Sequence, residues 1–161
     1  MSEAPSPGTA GFVIRLARPE ESELIASIVR EAFQTVADSV GVDIPPLFES
    51  AQDVSAAFDA GDLVLVADVA GQLVGTVRGE TMDSGSVMVR RLAVLPQFRG
   101  QGIARALMQA LETAYPDAKR FELFTGADLR APVRLYESLG YSHMEPHDTG
   151  GFPLVYLEKC R

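Results

Sequence analysis

The stretch from Val87 to Leu111, VMVRRLAVLPQFRGQGIARALMQAL, constrains this chain more than any other. Val87, Met88 and Val89, then Leu92 to Leu95, read as a buried strand. Pro96 has no N–H to give and ends the ladder. Gly100 and Gly102 permit a tight turn and a close backbone approach. Ile103, Leu107, Ala110, Leu111 and Ala114 then recur at helical spacing and predict an amphipathic helix. A glycine-lined turn entering a helix leaves backbone N–H groups unpaired beside the positive end of the helix dipole, which favours a phosphate. Arg99 and Arg105 flank that turn and add charge.

The remainder of the chain supplies the frame for this stretch. Residues 1–11 read as a flexible tail and residues 12–161 as one domain, long enough for a proper core. Phe12 to Leu16 predicts a first strand, and Pro19, Glu20 and Glu21 a helix start. Leu24, Ile25, Ile28, Val29, Ala32, Phe33 and Val36 form its apolar stripe. Asp38 to Pro46 reads as a loop, followed by a weaker helix over Leu47 to Asp59 with Phe48, Ala51, Val54 and Phe58 inward. The period then changes to that of strands at Leu63 to Asp68 and Gln72 to Arg78, split by a hairpin turn at Val69–Ala70–Gly71. Asp83–Ser84–Gly85 turns the chain into the Val87 strand, so three consecutive strands are antiparallel. A strand at Phe121 to Thr125 and a short helix at Leu129 to Leu139 come next, with Asp128 as its cap. Strands at Tyr141 to Glu145 and Leu154 to Lys159 close an α/β arrangement of about seven strands and four helices.

Composition narrows the function classes. A net charge of −8 argues against nucleic-acid binding, which draws on phosphate neutralisation. One cysteine and two histidines, His143 and His147, predict no metal site. No apolar run reaches the roughly 20 residues of a membrane span. The polar start lacks the pattern of a secretion signal, so a cytoplasmic protein is expected. The phosphate-loop signature of nucleoside triphosphatases and the serine-hydrolase elbow are absent. A dinucleotide fingerprint fails because Arg105 stands at its third glycine and the preceding strands are antiparallel. A bare G-x-G is most simply a geometric turn.

The turn is not bare. Arg99-Gly100-Gln101-Gly102-Ile103-Ala104 fits R/Q-x-x-G-x-G/A and follows a strand ending Leu92-Ala93-Val94-Leu95-Pro96. Leu135-Tyr136-Glu137-Ser138-Leu139-Gly140-Tyr141 stands some thirty residues on. With these elements in this order, the chain resembles the GCN5-related N-acetyltransferase (GNAT) superfamily over nearly its whole length. The resemblance implies a mixed, mostly antiparallel sheet splayed between strands four and five. It implies transfer of an acetyl group from acetyl-CoA, as co-substrate and without a metal, to an amine of a small molecule or peptide. Backbone N–H groups from Arg99 to Ala104, with Arg105, would hold the coenzyme pyrophosphate. The pantetheine arm would pair with the edge at Leu92, Ala93 and Val94, and the Val94 N–H would meet the thioester oxygen. Tyr136, at the family position of the general acid and in contact with the coenzyme, would protonate the leaving thiolate. A non-catalytic acyl-CoA sensor on the same fold is the alternative, and a homodimer is among the assemblies open to it.

Two departures from the family pattern stand out. Arg90 occupies the usual position of an acidic residue that acts as base, which leaves Glu80 and Glu122 as substitutes, or water. Leu129 replaces an asparagine that often touches the coenzyme. The resemblance places acceptor choice in residues 33–48 and 145–152. Acids such as Asp38, Asp43, Glu49, Glu145 and Asp148 outnumber bases in or beside these segments, which mildly favours an amine. Arg90 pulls the other way.

Overall fold

The computed structural model describes residues 11–145 and 153–161. Its strands are β1 (Val13–Leu16), β2 (Leu63–Val69), β3 (Gln72–Thr81), β4 (Val87–Val94), β5 (Arg120–Gly126), β6 (Ser142–His143) and β7 (Leu154–Cys160). Its helices are α1 (Ser22–Val40), α2 (Ala51–Asp59), α3 (Ile103–Ala114) and α4 (Arg130–Ser138). All seven strands join one sheet in the order β1-β2-β3-β4-β5-β7-β6. Every neighbouring pair is antiparallel except β4 with β5, which is parallel.

The β2–β3 hairpin follows from its turn residues. Ala70 and Gly71 both take positive φ, 51° and 91°, the geometry a two-residue loop needs to match strand twist. The Asp68 carboxylate accepts from the Gly71 N–H at 2.7 Å and holds the turn. The core lies on both sides of the central strands. Ile25, Val29 and Val54 come from α1 and α2, and Ile103, Leu107, Met108 and Leu111 from α3. Gly75 and Gly79 on β3 bring α3 unusually close. A Cβ at Gly79 would lie 2.9 Å from the Tyr115 ring, whose hydroxyl donates to the Gly79 carbonyl at 3.1 Å. Residues of opposite parity on β3 face the α1–α2 segment, as Arg78 does in bonding Glu49.

Several boundaries differ from the sequence reading, each for a local reason. Pro19–Glu21 is a 3-10 turn, and the helix proper begins at Ser22 and runs past Asp38 to the Gly41 cap, φ 77°. The second helix starts at Ala51, not Leu47. Pro45–Phe48 is a separate 3-10 turn, and Ser50 caps α2 by a reciprocal box with Asp53. Phe48 consequently stands 69% exposed rather than inward. On α3, Met108 and Glu112 are buried while Ala114 is exposed. Leu129, not Asp128, occupies the N-cap of α4, with no side-chain capping bond. The sixth strand shrinks to two residues.

Candidate active site

β4 and β5 pair only at Val87↔Phe121 and Met88↔Glu122. Beyond that the two strands run on to Val94 and Gly126 without pairing. A bulge turns β4 aside. Thr76 pairs with Ala93 and Arg78 with Arg90, so Val77 alone opposes both Arg91 and Leu92. Arg91 takes φ 56°, the left-handed region that a side chain enters only under constraint. The result is a cleft of about 850 Å³ between the strands, walled by α4, the start of α3 and part of α1.

The register orients the backbone of β4. The Leu95 N–H donates to the Val74 carbonyl at 2.9 Å, which makes Leu95·Val74 a hydrogen-bonded pair. Such pairs alternate in an antiparallel ladder, so Val94·Gly75 is the non-bonded kind and the Val94 N–H points away from β3, toward the cleft. The Val94 carbonyl on that same side accepts from Arg99 Nε at 3.2 Å.

The turn into α3 has the character expected of it. Gly100 and Gly102 take φ 78° and 84°, and a Cβ on either would meet nothing within 4 Å. The Ala106 N–H bonds the Gly102 carbonyl at 3.0 Å, the first bond of the helix. The six N–H groups of residues 100–105 have no acceptor among the described residues. They lie at the positive end of a twelve-residue helix.

Leu92, Ala93, Val94, Arg99, Gly100, Gly102, Ile103, Ala104, Arg105 and Tyr136 all line the cleft. Gln101 is exposed in the same turn and does not. The Arg99 side chain is spent on backbone, donating to Val94 and, at 3.0 Å, to the Ala32 carbonyl of α1. Arg105 donates to Ser138 Oγ at 2.8 Å and ties α3 to α4. Tyr136 is 7% exposed and meets the Tyr141 ring edge-on at a centroid distance of 6.0 Å. Burial raises its pKa above the ordinary 10.0 and keeps the phenol protonated. Tyr141 packs as expected, its hydroxyl donating to Glu112 at 3.0 Å.

Glu80 and Glu122 are not brought into the cleft lining. Glu80 accepts from Arg90 Nε at 2.8 Å, and Glu122 pairs with Arg120. Arg90 and Leu129 do line it. Among the described residues no Asp, Glu or His lines the cleft, and its four charged side chains are all arginines in a chain of net charge −8. Sequence reading passed over Arg91, although two adjacent arginines in an apolar strand are themselves a signal. Strand alternation would send one of them into the core unless a bulge intervened. Of the acceptor segments, His147 and Asp148 lie outside the described residues. No group of three or more His, Cys, Asp or Glu residues suited to a metal occurs among those described. No helix among them is long and apolar enough to cross a membrane.

Residues 60–143 match the acetyltransferase (GNAT) domain family, to which this chain belongs. Solved structures share the fold. A PaiA N-acetyltransferase from Thermoplasma acidophilum, in complex with coenzyme A, aligns at TM-score 0.79 and 16% identity over 93% of this chain and 99% of its own. The putative acetyltransferase yncA from Salmonella typhimurium, with acetyl-CoA, aligns at 0.73 and 20% over 93% and 94%. A ribosomal-protein-alanine N-acetyltransferase from Brucella melitensis aligns at 0.71 and 21% over 92% and 99%.

Proposed function

We propose that this chain, with residues 12–161 acting as one catalytic domain, moves an acetyl group from acetyl-CoA to an amine of a small molecule or peptide. The observation that carries the reading is the coincidence in one cleft of the α3 N-terminus, whose N–H groups have no acceptor among the described residues, with an outward-facing Val94 N–H. The cleft suits the coenzyme: the helix end accepts pyrophosphate, Arg99 and Arg105 flank the turn, and among the described residues no acid lines the cleft. When bound, acetyl-CoA supplies an activated acyl carbon and a thiolate leaving group.

The chain's own part is positional and electrostatic. The free edge of β4 at Leu92, Ala93 and Val94 aligns the pantetheine arm. The Val94 N–H stabilises charge developing on the thioester oxygen, a role in which loss of one donor costs roughly 3–4 kcal/mol elsewhere. Tyr136 gives its proton to the departing sulfur and is reprotonated from solvent. With Glu80 held by Arg90 and no carboxylate lining the cleft among the described residues, the incoming amine passes its proton to water.

Calorimetry with acetyl-CoA, followed by an amine screen that reads released thiol, tests the assignment. Binding with no turnover of any amine would make the protein a sensor, and no binding would end the reading altogether. Tyr136→Phe should lower kcat by roughly 10²- to 10⁴-fold. Because Tyr136 acts when protonated and burial raises its pKa, it should cause no alkaline loss of kcat below pH 10.0. An unchanged kcat in the phenylalanine variant would remove Tyr136 from the acid role.

A further inference from the structure

Beside the cleft lies a depression of about 580 Å³, lined by Arg78, Arg91, Glu49, Phe48, Asp43 and Asp53 among others. Arg91 lines both spaces. The Glu49 side chain, 2% exposed, takes Arg78 Nη2 at 2.5 Å and Arg91 Nε at 3.1 Å. One buried carboxylate thus faces two guanidinium groups, with the Asp43 and Asp53 carboxylates on the same walls. The surplus is one of donors. Arg78 Nε is buried with no hydrogen-bond partner. Among the described residues Arg91 spends only its Nε, although its side chain is 27% exposed. Buried donors are ordinarily paired, so idle ones in an open depression call for an acceptor.

We propose that the acyl acceptor is an amine that also carries a carboxylate, and that this carboxylate docks on Arg91, with Arg78 behind it. The proposal rests on the acetyl-transfer reading above and names the substrate class for that same site. Arg91 and Val94 stand three positions apart on β4, at most about 10 Å at extended-strand spacing. An amino acid or short peptide therefore bridges the anion subsite and the reacting carbon. The planar fork of arginine matches a carboxylate in two-point contact. Asp43 and Asp53 on the same walls oppose a multiply charged anion, which favours a carboxylate over a phosphate. Glu49 acts as a positioning residue, holding both guanidinium groups from behind.

The test is an acceptor panel of free amino acids, each beside its C-terminal amide and its decarboxylated amine, read by released thiol. The acids should exceed their partners in kcat/KM by tenfold or more. Arg91→Gln should erase that preference, a loss of roughly 10- to 100-fold confined to the carboxylated members and seen in their KM. Arg91→Lys should recover part of it. The KM for acetyl-CoA, measured in parallel, should hold. Equal use of acids and amides, an equal loss on both in Arg91→Gln, or acetyl-CoA binding with no carboxylated amine accepted would each overturn the proposal and spare the coenzyme reading. Failure to bind acetyl-CoA would instead overturn the reading beneath it.

Discussion

Replacing Gly102 by alanine separates the two tasks of the turn before α3. Gly102 sits at φ 84° and a Cβ there meets nothing within 4 Å, so the substitution creates no clash in the free protein. Its cost is conformational, about 1–2 kcal/mol for a side chain held in the left-handed region. For a chain of this length that lowers Tm by roughly 2–8 °C. The same Cβ projects beside the unpaired N–H groups of residues 100–105. Displacing a bound phosphate from one such charge-assisted bond costs about 1.5–3 kcal/mol, a rise of roughly 10- to 100-fold in the acetyl-CoA Kd. Gly85 provides the control. It lies in the β3–β4 turn with φ 88° and equally open space, away from the cleft. Gly85→Ala should match the fall in Tm and leave the Kd alone. Differential scanning calorimetry and titration calorimetry on both variants give the answer. A Gly102→Ala protein that loses Tm yet binds acetyl-CoA normally, or a Gly85→Ala protein that loses affinity to the same extent, would refute the phosphate assignment.

Two further perturbations probe the charges around this frame. Glu49→Gln should destabilise the fold by about 3–5 kcal/mol in urea titration, because it strands two guanidinium groups against a neutral buried amide. A cost under about 1 kcal/mol would show that the cluster is well solvated. The carboxyl of Glu21 is held below its ordinary 4.5, mainly by the Arg15 hydrogen bonds, against burial and with help from the Arg18 N–H. A lowered folded-state pKa contributes stability that is present above 4.5 and lost as pH falls through the folded value. Acid unfolding of Glu21→Gln should therefore be shallower than that of the parent below pH 4.5, and identical slopes would contradict the pairing.

What the sequence disclosed and what it withheld divide along a physical line. The hairpin at Ala70–Gly71, the glycine turn and the α3 face are local: each depends on residues within one or two turns of chain, and each was legible. The start of α2 was misplaced because Phe48 reads as an inward residue on a helix. The Ser50–Asp53 box, one turn later, outweighs that pattern. The bulge at Arg91, hinted at only by two adjacent arginines, could not be placed for a different reason. It exists only in the register between β4 and β3, where Val77 opposes two residues. Glu49 reads as one more acid beside the acceptor segment until Arg78 and Arg91, 29 and 42 positions away, close over it. The proposed acetyl-donor side, Tyr136 apart, is therefore written in contiguous residues, whereas the proposed acceptor side is assembled from three separate ones.

The divergence of β4 from β5 places a free hydrogen-bonding edge inside the sheet, not at its rim. Strand edges ordinarily recruit other chains and threaten solubility. Here the vacancy lies between two strands of the same sheet and is walled by helices. Such a lane suits a guest that is narrow, extended and rich in amide groups. In the proposed reading, a lane of the sheet left unfilled and sheltered turns the chemistry of aggregation into a means of gripping a linear ligand.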